Sequence, residues 1–196
     1  SGVISERVEI FNPQTNAWTE AMSLESDRAS QTANLLGDGR VLVAGGWGAS
    51  NVPVGGNALL YNPKTNTWTA TGPMVKMRLL PQSVRLPDGR VLVAGGMTPE
   101  DRVVPTMMDS TEIYDPASNA WTAASDLSQA RYSHVLVLLA DGQVLAVGGA
   151  RDWDSRWTER SFVREIEIYD SVANEWRIVG ELPQPRADAT ATLLLD

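Results

Sequence analysis

The sequence predicts an all-β chain of four-stranded antiparallel blades set around an axis, a β-propeller or part of one. Three observations predict it. The decapeptide "IFNPQTNAWT" (10–19) recurs as "LYNPKTNTWT" (60–69), "IYDPASNAWT" (113–122) and "IYDSVANEWR" (168–177). A second motif, "GDGRVLVAGG" (37–46), recurs as "PDGRVLVAGG" (87–96) and "ADGQVLAVGG" (140–149). Arg28, Arg78, Arg131 and Arg186 step along the chain in the same uneven intervals as Trp18, Trp68, Trp121 and Trp176, namely 50, 53 and 55 residues. Two landmarks keeping one irregular spacing mark true repeats, and repeats of four short strands at this period stack as propeller blades.

Within a repeat the elements follow in order. The first strand runs from about the arginine into an apolar stretch such as "SHVLVLLA". Asp-Gly follows (38–39, 88–89, 141–142). Its tolerance of positive φ suits a tight hairpin turn. The second strand, "RVLVAGG", is almost wholly apolar, as expected when both faces are covered. Its Gly-Gly permits a close backbone approach or an unusual φ. A loop of variable length leads to the third strand, which ends at Phe11, Tyr61, Tyr114 or Tyr169. The fourth strand carries a tryptophan seven residues after that aromatic in every copy. No segment has the period of a three-turn amphipathic helix.

The chain is therefore expected to hold a partial blade over 1–19, blades over about 28–69, 78–122 and 131–177, and an orphan first strand over 186–196. Arg186 to Asp196 spans the same ten residues as Arg28 to Asp38, so Asp196 reads as the aspartate of a fourth Asp-Gly turn. Strands pair at roughly 4.8 Å, so an orphan first strand beside a third strand leaves a gap about twice that wide. A segment of a longer propeller is the expectation. Chains completing each other's blades end to end, or a gapped four-blade ring, are the alternatives. Open edges at 6–12 and 187–195 would then favour self-association.

The Gly-Gly, the Tyr-Asp-Pro and the tryptophan near the repeat's end resemble kelch repeats. The wording "DGRVLVAGG" is similar to the bacterial kind, including the central propeller of galactose-oxidase-like proteins. The resemblance covers almost the whole chain. It implies rings of six or seven blades and a secreted or cell-surface setting. A fold of this kind hosts many functions, so it does not by itself imply one.

Composition narrows the function classes. With 43% hydrophobic residues the chain can build a core, and its formal net charge of -8 carries no basic stripe. That argues against nucleic acid or an anionic membrane as partner. No apolar run reaches membrane-spanning length. The absence of cysteine excludes disulfides and thiolate metal sites. The resemblance implies that a copper-radical oxidase needs two histidines, tyrosines and a cysteine, whereas this sequence has one histidine, His134. His134 reads as a packed histidine with one satisfied nitrogen. No phosphate-binding or dinucleotide fingerprint is present. No catalytic residue, metal ligand or cofactor is assigned.

The repeats separate framework from function. Residues present in every copy, the four repeat tryptophans, their aromatic partners and the four arginines, serve blade packing and the connection between blades. Trp47, Trp153 and Trp157 lie outside the pattern, in loops between second and third strands. Strand alternation puts these loops and the blade-to-blade connections on one face. That face also collects Met97, Met107, Met108 and the long insert "ARDWDSRWTERSF" (150–162), with Arg151 and Arg156 beside its tryptophans. Tryptophan and arginine are enriched at binding hot spots. The alternative is that Trp153 and Trp157 fold back to pin a long loop. The function expected is a non-catalytic scaffold presenting loops to a protein or glycan. The alternatives are a segment of a galactose-oxidase-like or other sugar-processing enzyme whose catalytic residues lie elsewhere, and a structural segment of a surface protein.

Overall fold

A computed structural model describes residues 5–48, 58–98, 105–153, 158 and 161–194. They form an all-β chain of kelch-type propeller blades, with no α-helix among the described residues. The partial blade is a hairpin of β1 (Glu9–Asn12) and β2 (Ala17–Glu20). Blade 1 holds β3 (Thr32–Leu35), β4 (Val41–Ala44), β5 (Leu59–Asn62) and β6 (Thr67–Ala70), paired in that order. Blade 2 begins with β7 (Gln82–Arg85) and β8 (Val91–Ala94). A small hairpin of β9 (Met97–Thr98) and β10 (Thr106–Met107) follows, and the blade ends with β11 (Thr111–Asp115) and β12 (Ala120–Ala124). Blade 3 is β13 (Val135–Leu138), β14 (Val144–Val147), β15 (Glu165–Asp170) and β16 (Glu175–Glu181). All pairings are antiparallel, and the first strands β3, β7 and β13 adjoin one another from blade to blade.

The unbroken apolar second strands are explained by sandwiching. Val91 and Val93 of β8 pack with Leu42, Leu60 and Trp121 in one buried cluster between blades 1 and 2. The alternate residues Leu92 and Ala94 face the other way, into a cluster with Leu136, Val144 and Trp176 between blades 2 and 3. Period-two alternation therefore feeds two cores from one strand, and both faces must be apolar.

Two details differ from expectation. The first strands start four residues after the arginine, because the chain first passes through a left-handed residue: Ser30 (φ 58), Leu80 (φ 49) or Ser133 (φ 51). Residues 187–194, expected as an orphan strand, carry no ladder and pair with no described strand. A strand exists by its backbone partners, and no described second strand lies there to supply them.

The Asp-Gly turns behave as their chemistry dictates. Gly39, Gly89 and Gly142 take φ of 89°, 92° and 87°. The Asp38 carboxylate accepts the Arg40 backbone N–H at 3.0 Å, and Asp88 and Asp141 do the same two residues on. That bond holds the Asp38 carboxyl below the usual aspartate range.

The joint between blades is built on the Gly-Gly pair and the arginine. The Gly46, Gly96 and Gly149 amides donate to the carbonyls of Arg78, Arg131 and Arg186, each opening the next repeat, at 3.0, 2.8 and 2.8 Å. The arginine side chain turns back into its own blade. Arg78 donates to the Gly95 and Ser110 carbonyls at 3.0 and 2.7 Å and to Glu112 Oε1 at 2.6 Å. Arg131 repeats this with Gly148, Glu165 and Glu167. Both ion pairs are fully buried. Glu112 also accepts the Val75 and Lys76 amides, and Glu167 accepts that of Ser128, so each carboxylate ties down the incoming connection. In blade 1 the equivalent position, two residues before the aromatic, is Leu59.

The repeat tryptophans are not equally enclosed. Each ring lies 5.0–5.2 Å from its aromatic partner. Trp121 and Trp176 are buried, whereas Trp18 is 65% exposed. The fourth-strand indole is covered by the preceding blade: Trp121 packs among blade 1 residues and donates to Thr71 Oγ1 at 3.1 Å. No described segment stands in that place for Trp18.

Candidate functional site

The second-third loops and the blade-to-blade connections meet on one face, where backbone bridges join them. Ala29 pairs with Trp47, Leu79 with Met97, and Tyr132 with Ala150. Trp47, Met97 and Ala150 are thus the same structural position in three blades, the residue after Gly-Gly. Met97 and Ala150 are buried in a cluster with Leu79 and Tyr132. Trp47 is 39% exposed. Its bridge partner Ala29 has too small a side chain to cover an indole.

Met97 and Met108, expected among the loop residues of this face, are buried, and Met107 is half-buried. They form its floor rather than its contact surface. Met74, Lys76, Met77, Met107, Met108 and Asp109 line a groove of about 470 Å³ beside the β9–β10 hairpin.

Blade 3 contributes the long insert. Arg151 and Trp153 are exposed, Trp153 by 55%. The Trp153 ring lies 5.7 Å from that of Tyr132 at 41°, and the Tyr132 hydroxyl donates to the Asp152 carbonyl at 3.2 Å. Burial, with Asp152 and Asp188 nearby, pushes the Tyr132 phenol up from its ordinary value, so it remains a donor at neutral pH. The indole touches the Tyr132 ring in a tilted contact while more than half of the residue stays open. Arg156 and Trp157 lie outside the described residues.

Tyr132 was not singled out by the repeat. A signal was available, since it is the aromatic copy of a position held elsewhere by Ala29, Leu79 and Ala187. Asn66, Asn119 and Asn174 were missed as well. Each takes a left-handed φ of 53–55° in the turn before the fourth strand. Each also accepts the hydroxyl of its own blade's tyrosine at 2.8–2.9 Å.

His134 departs from expectation. It is buried, but neither ring nitrogen has a hydrogen-bond partner among the described residues. Burial, with Arg131 and Arg78 nearby, lowers its pKa to about 3, so it is neutral at pH 7. Among the described residues no three His, Asp or Glu side chains are placed together to hold a metal ion. On the opposite face, Asp88, Asp141, Gln143 and Asp170 line an open cleft of about 600 Å³.

No family model matches the chain. Among curated proteins, it is 32% identical over 77 residues to Kelch-like protein 7 of Rattus norvegicus and 34% identical over 80 residues to Kelch-like protein 36 of Mus musculus. It is 35% identical over 82 residues to alpha-scruin of Limulus polyphemus. These matches cover 39%, 41% and 42% of this chain but only 12%, 12% and 8% of those proteins. With the blade architecture, they support kelch repeats in this chain.

Proposed function

We propose that this chain is a non-catalytic scaffold that binds a protein partner through the face of its second-third loops. Trp153 and Arg151 form the centre, Trp47 contributes from blade 1, and Arg156 and Trp157 belong to the same insert as Trp153. The observation that carries the reading is the seating of Trp153 on Tyr132 with its remaining surface open. An aromatic held in place before binding loses little conformational freedom on contact, which is what a hot spot requires. The kelch-named relatives favour a protein partner over a glycan. The galactose-oxidase-like alternative would need its cysteine and second histidine from outside this chain.

Site-directed photo-crosslinking tests the proposal. A photoreactive residue at position 47 or 151 should capture a defined protein from extract of the source organism. The same residue at Val172, on a turn of the opposite face, should not. Capture at Val172 alone would overturn the reading. Specific retention on a glycan array, lost in Trp153→Ala, would replace it with carbohydrate binding.

A further inference from the structure

His134 holds on blade 3 the place that Pro81 holds on blade 2. Each lies three residues after the repeat arginine and directly after a left-handed residue, Ser133 (φ 51) or Leu80 (φ 49). Each also packs on the first glycine of the preceding blade's Gly-Gly. A Cβ on Gly95 would lie 2.7 Å from His134 Cε1, and one on Gly45 would lie 2.7 Å from Pro81 Cγ. One seam is closed by a proline ring and the next by an imidazole of similar bulk.

The surroundings of that imidazole suit only its neutral form. Arg131 of blade 3 and Arg78 of blade 2 are close enough to disfavour a positive charge on it. The carboxylates nearest those cations, Glu167 and Glu112, are already engaged by the arginines and by backbone amides. His134 also packs on the Gly-Gly of its own blade, where a Cβ on Gly149 would fall 2.9 Å from that of His134.

We propose that the seam between blades 2 and 3 is an acid-sensitive joint, loosened by protonation of His134, while the Pro81 seam between blades 1 and 2 is not. An imidazolium carries two N–H donors and a charge. Here neither ring nitrogen has a hydrogen-bond partner among the described residues, and burial together with the influence of Arg131 and Arg78 disfavours the charged form. Opening the seam gives it water.

The sign follows from linkage. The closed seam holds His134 at about 3 against an ordinary 6.5, so between those values the open form binds more protons. The seam's stability is full above pH 6.5 and falls as pH drops toward 3.

Amide hydrogen exchange reads the two seams separately. The Gly96 amide is bonded to Arg131 across the imidazole seam, and the Gly46 amide to Arg78 across the proline seam. Between pH 7 and 5, after correction for intrinsic exchange, opening at Gly96 should rise toward about tenfold for each pH unit below the ordinary histidine pKa. Opening at Gly46 should stay level, and His134→Pro should level Gly96 as well. Equal pH dependence of the two amides in the native chain would overturn the proposal, as would a Gly96 response that survives His134→Pro. If that variant does not fold, the native imidazole is titrated by NMR. A pKa near 6.5 with Gly96 protection unchanged overturns the joint, and a depressed pKa with selective loss at Gly96 supports it.

Discussion

Gly95 and Arg131 meet across a blade boundary so closely that a Cβ on Gly95 would sit 2.5 Å from the Arg131 carbonyl oxygen. Gly148 stands in the same relation to Arg186, also at 2.5 Å. The glycine is there for two reasons at once, a left-handed φ of 64° and the lack of any side chain.

Those two reasons can be separated. Gly39→Ala meets only the φ cost, because nothing lies within 4 Å of the added carbon. It should lose about 1–2 kcal/mol. Gly95→Ala adds a backbone clash and should lose more, on the order of 3 kcal/mol or above. Urea midpoints of the two variants check the ranking, and equal losses would refute the close-approach account.

The buried Glu112 should be costly to remove. Glu112→Leu copies the residue that blade 1 carries at position 59. It leaves Arg78 buried without its carboxylate and frees the Val75 and Lys76 amides. Breaking one side of a buried pair costs about 3–5 kcal/mol. Replacing both partners, Arg78→Met with Glu112→Leu, should recover part of that loss. A double-mutant cycle by chemical denaturation measures the coupling.

The tryptophans should divide by enclosure, not by membership of the repeat. Trp121→Ala should cost about 3–5 kcal/mol, as truncation of a buried aromatic does. Trp18→Ala, at 65% exposure, should cost much less, about 1 kcal/mol or below. Trp153→Ala should also be mild for stability while weakening partner capture by about 2 kcal/mol if it is a hot spot. Melting and binding are compared on the same variants. If Trp153→Ala destabilises as much as Trp121→Ala, the residue is a loop anchor and the binding face fails.

The turn asparagines give a fourth expectation. Asn174 accepts the Tyr169 hydroxyl at 2.8 Å and the Ser125 amide at 3.0 Å, and it sits at φ 53°. Asn174→Gly keeps the backbone shape and loses the bonds, costing about 1–2 kcal/mol. Asn174→Ala loses both and should cost about 1 kcal/mol more. Tyr169→Phe removes one bond and should match the smaller losses. Thermal unfolding of the three variants tests the order.

The blades are legible in the amino-acid order alone. Strand order, the Asp-Gly turns, the double-faced second strands and the common face of the second-third loops all follow from local spacing, and local spacing is written in the chain. A period of two, a turn that needs positive φ and a tryptophan seven residues after an aromatic need no knowledge of distant residues. Which contacts a repeated residue makes is settled by the packing of distant segments. Trp121 shares its motif with three other tryptophans, yet its enclosure comes from blade 1 residues that the motif does not contain. Arg78 and Arg131 could be read as joint residues, but their carboxylates Glu112 and Glu167 lie 34 and 36 residues away. Tyr132 beneath Trp153 and the unpartnered ring of His134 were hidden for the same reason. Each depends on segments that meet only after the strands have paired, and burial and hydrogen bonding are properties of that meeting.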